Sequence, residues 1–197
     1  MPDRIGIFGG TFDPVHTAHV ALARSALQQF GLDQIRWIPA GQPYQKAGVS
    51  AAVHREAMVR LAIAGEPRFV LDRIEIERDG PSYTLDTVRA LQGAEPGAEW
   101  VLLIGQDQMA SLHTWHDWRE LLGRVTLAVA NRPGVVKPPH ADVQRHPHRA
   151  VALPMLDISS TDIRARAAAG LDISTLVPPE VARYIDRMAL YRAAPGS

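Results

Sequence analysis

Short apolar runs alternate with amphipathic stretches along this chain. RIGIF from Arg4, IRWIPA from Ile35, FVLDRIEIE from Phe69, EWVLLIG from Glu99, VTLAVAN from Val125 and AVALP from Ala150 predict strands. Apolar residues at helical spacing predict helices over Val20–Phe30, Ala51–Ala64, Thr84–Leu91 and Trp115–Leu122. Two more follow: Thr161–Ala169, stopped by Gly170, and one entered through Pro178 and Pro179 and running to about Tyr191. WVLLIG and VTLAVA lack polar alternation, as expected of parallel strands covered on both faces. The order predicts an α/β protein with an open, doubly wound, mainly parallel sheet and C-terminal helices, as one domain over residues 1–197. The stretch Asn131–Arg149, with four prolines and three histidines, predicts a surface loop. His140, His146 and His148 within it leave a metal site as the alternative to a solvated loop.

Composition narrows the function classes. At 197 residues the chain is long enough for a sizeable core. Its 21 basic and 21 acidic residues cancel, so bulk charge points to neither a nucleic acid nor a membrane surface, though a local basic pocket is compatible with it. The absence of cysteine excludes disulfides and thiolate metal sites. The opening MPDRIGIFGG is too short for a signal core, and no apolar run approaches the ~20 residues of a membrane span. The expectation is a soluble, cytoplasmic protein; a homo-oligomer is compatible with it.

Chemistry concentrates at three places. The first is GGTFDPVHTAH, from Gly9. In a doubly wound sheet, ligands sit beyond the carboxyl ends of the strands. Gly9 and Gly10 are expected there, straight after the strand, where glycine permits a close backbone approach and positive φ. The next helix start favours phosphate. Neither G-x-G-x-x-G nor a P-loop is present. His16 and His19, three apart in a first helical turn, can face one point and donate to charge that develops in phosphoryl transfer. Structural histidines and half of a metal site with Asp13 are the alternatives.

The second is LDISSTDIRARAAAG, where Ser159, Ser160 and Thr161 open a helix and Arg164 follows one turn later. Hydroxyls cap free N–H groups there, and with a guanidinium they can grip phosphate. The third joins ERDGPSYTLDT to LIGQDQMASLHTWHDW. Tyr83 and Thr84 stand at a helix start. Asp107 follows a buried strand, where a carboxylate can accept from ribose hydroxyls. Trp115 and Trp118 would share a helix face, in the core or stacked on a heterocycle.

Taken together, GGTFDPVHTAH, GPSYTLDT, GQDQMASLHTWHDW, NRPG and ISSTDIR resemble, in order over nearly the whole chain, the bacterial nicotinate-nucleotide adenylyltransferases of the HxGH nucleotidyltransferase superfamily. The resemblance implies a Rossmann-like fold and adenylyl transfer from ATP to nicotinate mononucleotide in NAD synthesis. It implies ATP contacts from Gly9, Gly10, Thr11 and Phe12, from His16 and His19 around the α-phosphorus, and from Ser159, Ser160, Thr161 and Arg164 on the triphosphate. Lys46, in GQPYQKAG, would swing over the phosphates and reach the mononucleotide. Tyr83, Thr84, Gly105, Asp107, Trp115, His116 and Arg132 would bind the mononucleotide: Asp107 its ribose, Trp115 its ring, and backbone N–H groups near Thr84 and His116 its carboxylate. Mg²⁺ would bridge ATP phosphates without a dedicated protein cage. Asp86 and Asp117 are expected to cap helices or face solvent. One departure is Ala18, where the family's glycine usually stands; its methyl lies where adenine would pack. The competing readings are a nicotinamide-mononucleotide or pantetheine-phosphate adenylyltransferase and, in another class, a non-catalytic nucleotide sensor.

Overall fold

In a computed structural model, residues 1–43, 48–131, 137–153 and 156–192 are described. Six strands form one sheet in the order β3-β2-β1-β4-β5-β6: β1 Arg4–Gly10, β2 Gln34–Pro39, β3 Phe69–Leu71, β4 Glu99–Gly105, β5 Thr126–Ala130 and β6 His148–Val151. Every pairing is parallel. Between them and after them run α1 Thr17–Gln29, α2 Ala52–Ile63, α3 Ile74–Glu77, α4 Thr84–Ala94, α5 Gln106–Ser111, α6 Trp118–Arg124, α7 Ala141–Arg145, α8 Ser160–Ala168 and α9 Pro179–Arg187.

The period-2 alternation of strand side chains divides the core between the two sheet faces. Ile5 and Ile7 of β1 join Trp100, Leu102 and Ile104 of β4 under α4 and α6. Phe8 joins Val101 and Leu103 on the other face, with Leu22, Leu27, Met58, Ile163 and Val181 from α1, α2, α8 and α9. The doubly wound parallel sheet expected from the sequence is therefore present, and its strand order reverses between β1 and β4. That switch point opens a crevice at the carboxyl ends of both strands.

Several boundaries differ from expectation. The run FVLDRIEIE is a strand only to Leu71. Asp72 Oδ1 accepts from the Ile74 N–H at 3.0 Å, and this local turn diverts the chain into α3 despite its alternating Ile and Glu. Trp115 has extended backbone after a 3₁₀ turn over Leu112–Thr114, and α6 starts only at Trp118, so the two tryptophans do not share a helix face. The proline-rich stretch is not all loop: it contains α7 and the start of β6. His140 caps α7, its Nδ1 accepting from the Asp142 N–H at 3.2 Å. α9 ends at Arg187, with left-handed backbone at Ala189 (φ 51°) and Tyr191 (φ 64°) turning the chain back. Among the described residues no helix is long and apolar enough to cross a membrane.

Candidate active site

Two cavities meet at the switch point. The larger, of about 590 Å³, is lined by the end of β1, the start of α1 and the start of α8. The smaller, of about 350 Å³, lies toward α3, the start of α4 and Trp115. They share Gly9, Gly10, Thr11, Asp107 and Gln108 as a common wall.

Gly9 and Gly10 do not follow β1; they are its last two residues and pair with Ile38 and Pro39. Neither has positive φ; in this loop the left-handed residue is Phe12, at φ 51°. What requires a small residue at Gly10 is space. A Cβ on Gly10 would meet the Phe12 ring at 3.0 Å, whereas at Gly9 it would meet nothing within 4 Å, in the open cavity.

His16 is not in the first helical turn but is the N-cap of α1, with extended backbone (φ −140°). Its ring stacks on that of His19 with centroids 3.6 Å apart. The His16 N–H donates to His19 Nδ1 at 3.1 Å. A neutral His19 that accepts at Nδ1 carries its proton on Nε2, which makes Nε2 the donor. Phe12 packs edge-on against the His19 ring at 5.1 Å and fixes its plane. Both histidines line the larger cavity, as does Ala18.

The second motif arrives from 146 to 151 residues away and is tied to the same loop. Ser160 Oγ donates to the Pro14 carbonyl at 3.0 Å, and Arg164 Nη1 to the Asp13 carbonyl at 2.8 Å. Ser159 caps α8, accepting from the Asp162 N–H at 3.1 Å. The nine-residue helix α8 thus points its N-terminus at the cavity. Thr161 and Arg164 also line it, with 3.4 Å between Thr161 Oγ1 and Arg164 Nη2.

In the smaller cavity Thr84 and Trp115 are present as expected, and Asp107 sits in the shared wall. Gly105, the last residue of β4, lines the larger cavity, its N–H donating to Gln108 Oε1 at 3.0 Å. Tyr83 and His116 line neither cavity; their rings stack on each other at 4.5 Å. Asp86 and Asp117 are solvent-facing, as expected, against Arg89 (3.5 Å) and His116 (3.4 Å). Lys46 and Arg132 lie outside the described residues.

Two buried charged residues were not singled out from the sequence. Glu75 lines the smaller cavity and accepts from Thr87 Oγ1 at 2.7 Å. Burial pushes its carboxyl above the usual range, and the Thr87 hydrogen bond opposes that. The carbonyl of Glu75 would lie 2.0 Å from a Cβ on Gly41, so only glycine fits there. Arg55, 1% exposed, donates to the carbonyls of Ser50 (2.9 Å), Thr11 (3.0 Å) and Gly41 (3.3 Å). Burial draws its guanidinium below the ordinary value and the Asp13 carboxylate opposes this, yet an arginine stays charged. An alternating apolar pattern cannot mark either residue, because each sits inside an otherwise apolar periodicity.

Arg55→Leu leaves three half-buried carbonyls without this donor and Asp13 without its nearby cation. Removing one partner of a buried charged network costs about 3–5 kcal/mol. For a chain of this size that lowers the melting temperature by roughly 10 °C. Thermal unfolding followed by circular dichroism checks this; an unchanged melting temperature would show that Arg55 does not brace these loops.

Comparison with known proteins adds an independent line. The cytidylyltransferase-like family matches residues 7–166. The protein named "Probable nicotinate-nucleotide adenylyltransferase" of Methylibium petroleiphilum is 54% identical over 195 residues, covering 95% of this chain and 92% of its own. Its namesake from Bordetella petrii is 46% identical over 196 residues, covering 96% and 99%. Plasmodium falciparum nicotinic acid mononucleotide adenylyltransferase, solved in complex with NaAD, aligns with a TM-score of 0.83 over 96% of this chain and 97% of that chain. At 19% identity, that likeness concerns the fold.

Proposed function

We propose that this chain, which belongs to the cytidylyltransferase-like family and within it to the nicotinate-nucleotide adenylyltransferases, joins ATP to nicotinate mononucleotide, giving nicotinate adenine dinucleotide and pyrophosphate. The observation that carries this reading is the pair of adjoining cavities. ATP is assigned to the larger, between the histidines and the start of α8; the mononucleotide to the smaller, beside Trp115. Their shared wall is where the two phosphates would meet.

A phosphate monoester has its second pKa near ~6, so the attacking oxygen is already anionic at neutral pH and no general base is required. That oxygen forms a bond to the α-phosphorus as the bond to the β-phosphate bridging oxygen breaks, and pyrophosphate leaves with the electron pair. Catalysis is then positioning plus stabilisation of charge. His19 donates from Nε2 toward the α-phosphate, with His16 stacked behind it. The N–H groups at the start of α8, with Thr161 and Arg164, hold the β- and γ-phosphates. Gly9, Gly10, Thr11 and Phe12 shape the floor under ATP. Asp107 takes the acceptor's ribose and Trp115 its ring; Lys46 and Arg132 remain candidates for its phosphate. Tyr83 and His116, off the cavity, act through the backbone at the start of α4 and before α6. Mg²⁺ enters with the ATP phosphates as part of that substrate; among the described residues no group of three or more His, Asp or Glu is placed to hold an ion.

The test is pyrophosphate release from ATP with nicotinate mononucleotide, nicotinamide mononucleotide and 4′-phosphopantetheine in turn. Release with the first, well above the others, is expected; binding of ATP without release in any mixture would make the protein a sensor. Arg164 offers a finer check, since its guanidinium reaches both the Asp13 carbonyl and Thr161. A lysine cannot make that fork. Arg164→Lys is expected to lower kcat/KM for ATP about tenfold, the worth of one charge-assisted hydrogen bond. The acceptor's KM should stay within twofold. Equal damage to both substrates would assign Arg164 to folding instead.

A further inference from the structure

Asp13 is buried at 3% exposure in the loop between β1 and α1, and three distant segments converge on it. Its carbonyl accepts from Arg164 at 2.8 Å. Its Oδ2 accepts from the Ser50 N–H at 2.9 Å, in the segment before α2. Its Oδ1 accepts from the Tyr191 hydroxyl at 2.6 Å, from 178 residues away. The Ser50 side chain hydrogen-bonds the same phenol, and Met58 Sδ lies 4.0 Å from its oxygen. Burial and the Asp13 carboxylate both hold the phenol protonated, so it remains a donor at any working pH.

The backbone on both sides of this hydrogen bond departs from ordinary conformations. Phe12, next to Asp13, is left-handed at φ 51°, and so are Ala189 and Tyr191. Bulky residues hold that conformation only when their surroundings over-determine it. A tail that merely covered the core would not need two such turns to bring a hydroxyl 2.6 Å from a carboxylate in the loop that carries His16.

We propose that Tyr191 is a positioning residue for ATP, acting through the Asp13 carboxylate to hold the loop of residues 11–16 in its binding geometry. Of that loop Thr11, Phe12, Asp13 and His16 line the larger cavity and Thr11 alone reaches the smaller, so the effect falls mainly on ATP. The inference rests on the assignment of that loop to ATP.

Tyr191→Phe deletes one oxygen and keeps the ring. The expected result is a KM for ATP raised about tenfold, with the KM for nicotinate mononucleotide within twofold and a cooperative melting transition retained. Asp13→Asn, which keeps the side-chain volume, should give the same split. Adding Tyr191→Phe to it should raise the ATP KM by less than a further twofold, because the two act as one unit. An unchanged ATP KM in the phenylalanine variant, equal weakening of both substrates, or additive losses in the double variant would each overturn the proposal. Should Tyr191→Phe not fold, Ser50→Ala supplies the reading: it removes only the hydroxyl behind the phenol, and must shift the ATP KM alone, by two- to threefold. Near-native turnover in His19→Ala would remove the ATP assignment itself; a crippled His19→Ala beside a silent Tyr191→Phe would remove this inference alone.

Discussion

Nicotinate mononucleotide is expected to exceed nicotinamide mononucleotide in kcat/KM by roughly 10⁴, the discrimination reached when the wrong ligand leaves buried polar groups unpaired. The two acceptors differ in one group: a carboxylate that only accepts, against an amide that also donates. If the acceptor binds in the smaller cavity, as proposed, that group would meet the start of α4, an eleven-residue helix whose first N–H groups and dipole favour negative charge. Besides Asp107, which stands in the shared wall and is assigned to ribose, the acidic side chain in the cavity wall is Glu75. Its oxygens are engaged by the hydroxyls of Thr87 and Ser82, and burial raises its pKa, so it is a poor acceptor for an amide and a weakened source of repulsion toward a carboxylate. Trp115→Ala should raise the KM for the mononucleotide about 10–100-fold, the worth of one aromatic stack, and leave the ATP KM within twofold. Side-by-side kcat/KM values for the acid and the amide decide the matter. Comparable values would show that the carboxylate pocket is wrong while leaving adenylyl transfer intact.

His19→Ala is expected to lower kcat by about 10²–10³ with little change in mononucleotide binding, the pattern of an interaction made only in the transition state. The geometry gives the reason. His19 Nδ1 is committed to the His16 N–H and Phe12 packs edge-on against the ring, so Nε2 is the donor nitrogen of a side chain that lines the larger cavity. His19→Asn supplies an amide donor on a shorter arm and should recover part of the loss. Steady-state kinetics on variants with native-like melting curves provide the check. Near-native turnover in the alanine variant would assign the stacked pair to structure.

Much of this was legible in the sequence, for identifiable reasons. Buried parallel strands advertise themselves as unbroken apolar runs, and EWVLLIG was placed to the residue. Cap chemistry is local, so Ser159 could be assigned to the start of α8 from its own neighbours. The misses share a cause: a single side chain overrode the pattern around it. Asp72 turned a predicted strand into α3, and the 3₁₀ turn before Trp115 separated two tryptophans that spacing alone would align. Gly9 and Gly10 line both cavities, yet not through positive φ, since the left-handed residue is Phe12 and the glycines are strand. The buried ring of Asp13, Arg55 and Tyr191 had no signature at all, because its members are joined only by the tertiary fold.

The start of α1 has a consequence for the order in which the protein is made. The Thr17 N–H and its hydroxyl both donate to the carbonyl of Leu176, at 2.9 and 3.0 Å. The loop just before Thr17 is held by Ser50 and Arg55 and, from the C-terminal side, by Ser160, Arg164 and Tyr191. β1 and β2, by contrast, can pair as soon as residue 39 has left the ribosome. β1 is thus an early scaffold, while the turn attached to it, assigned above to ATP, gains its C-terminal clamps only from residues more than 140 positions later. A nascent chain halted before α8 therefore carries both histidines yet lacks every clamp from the C-terminal side that holds them. On the ATP assignment, competence of this turn comes only after α8 and the segment following α9 have been made.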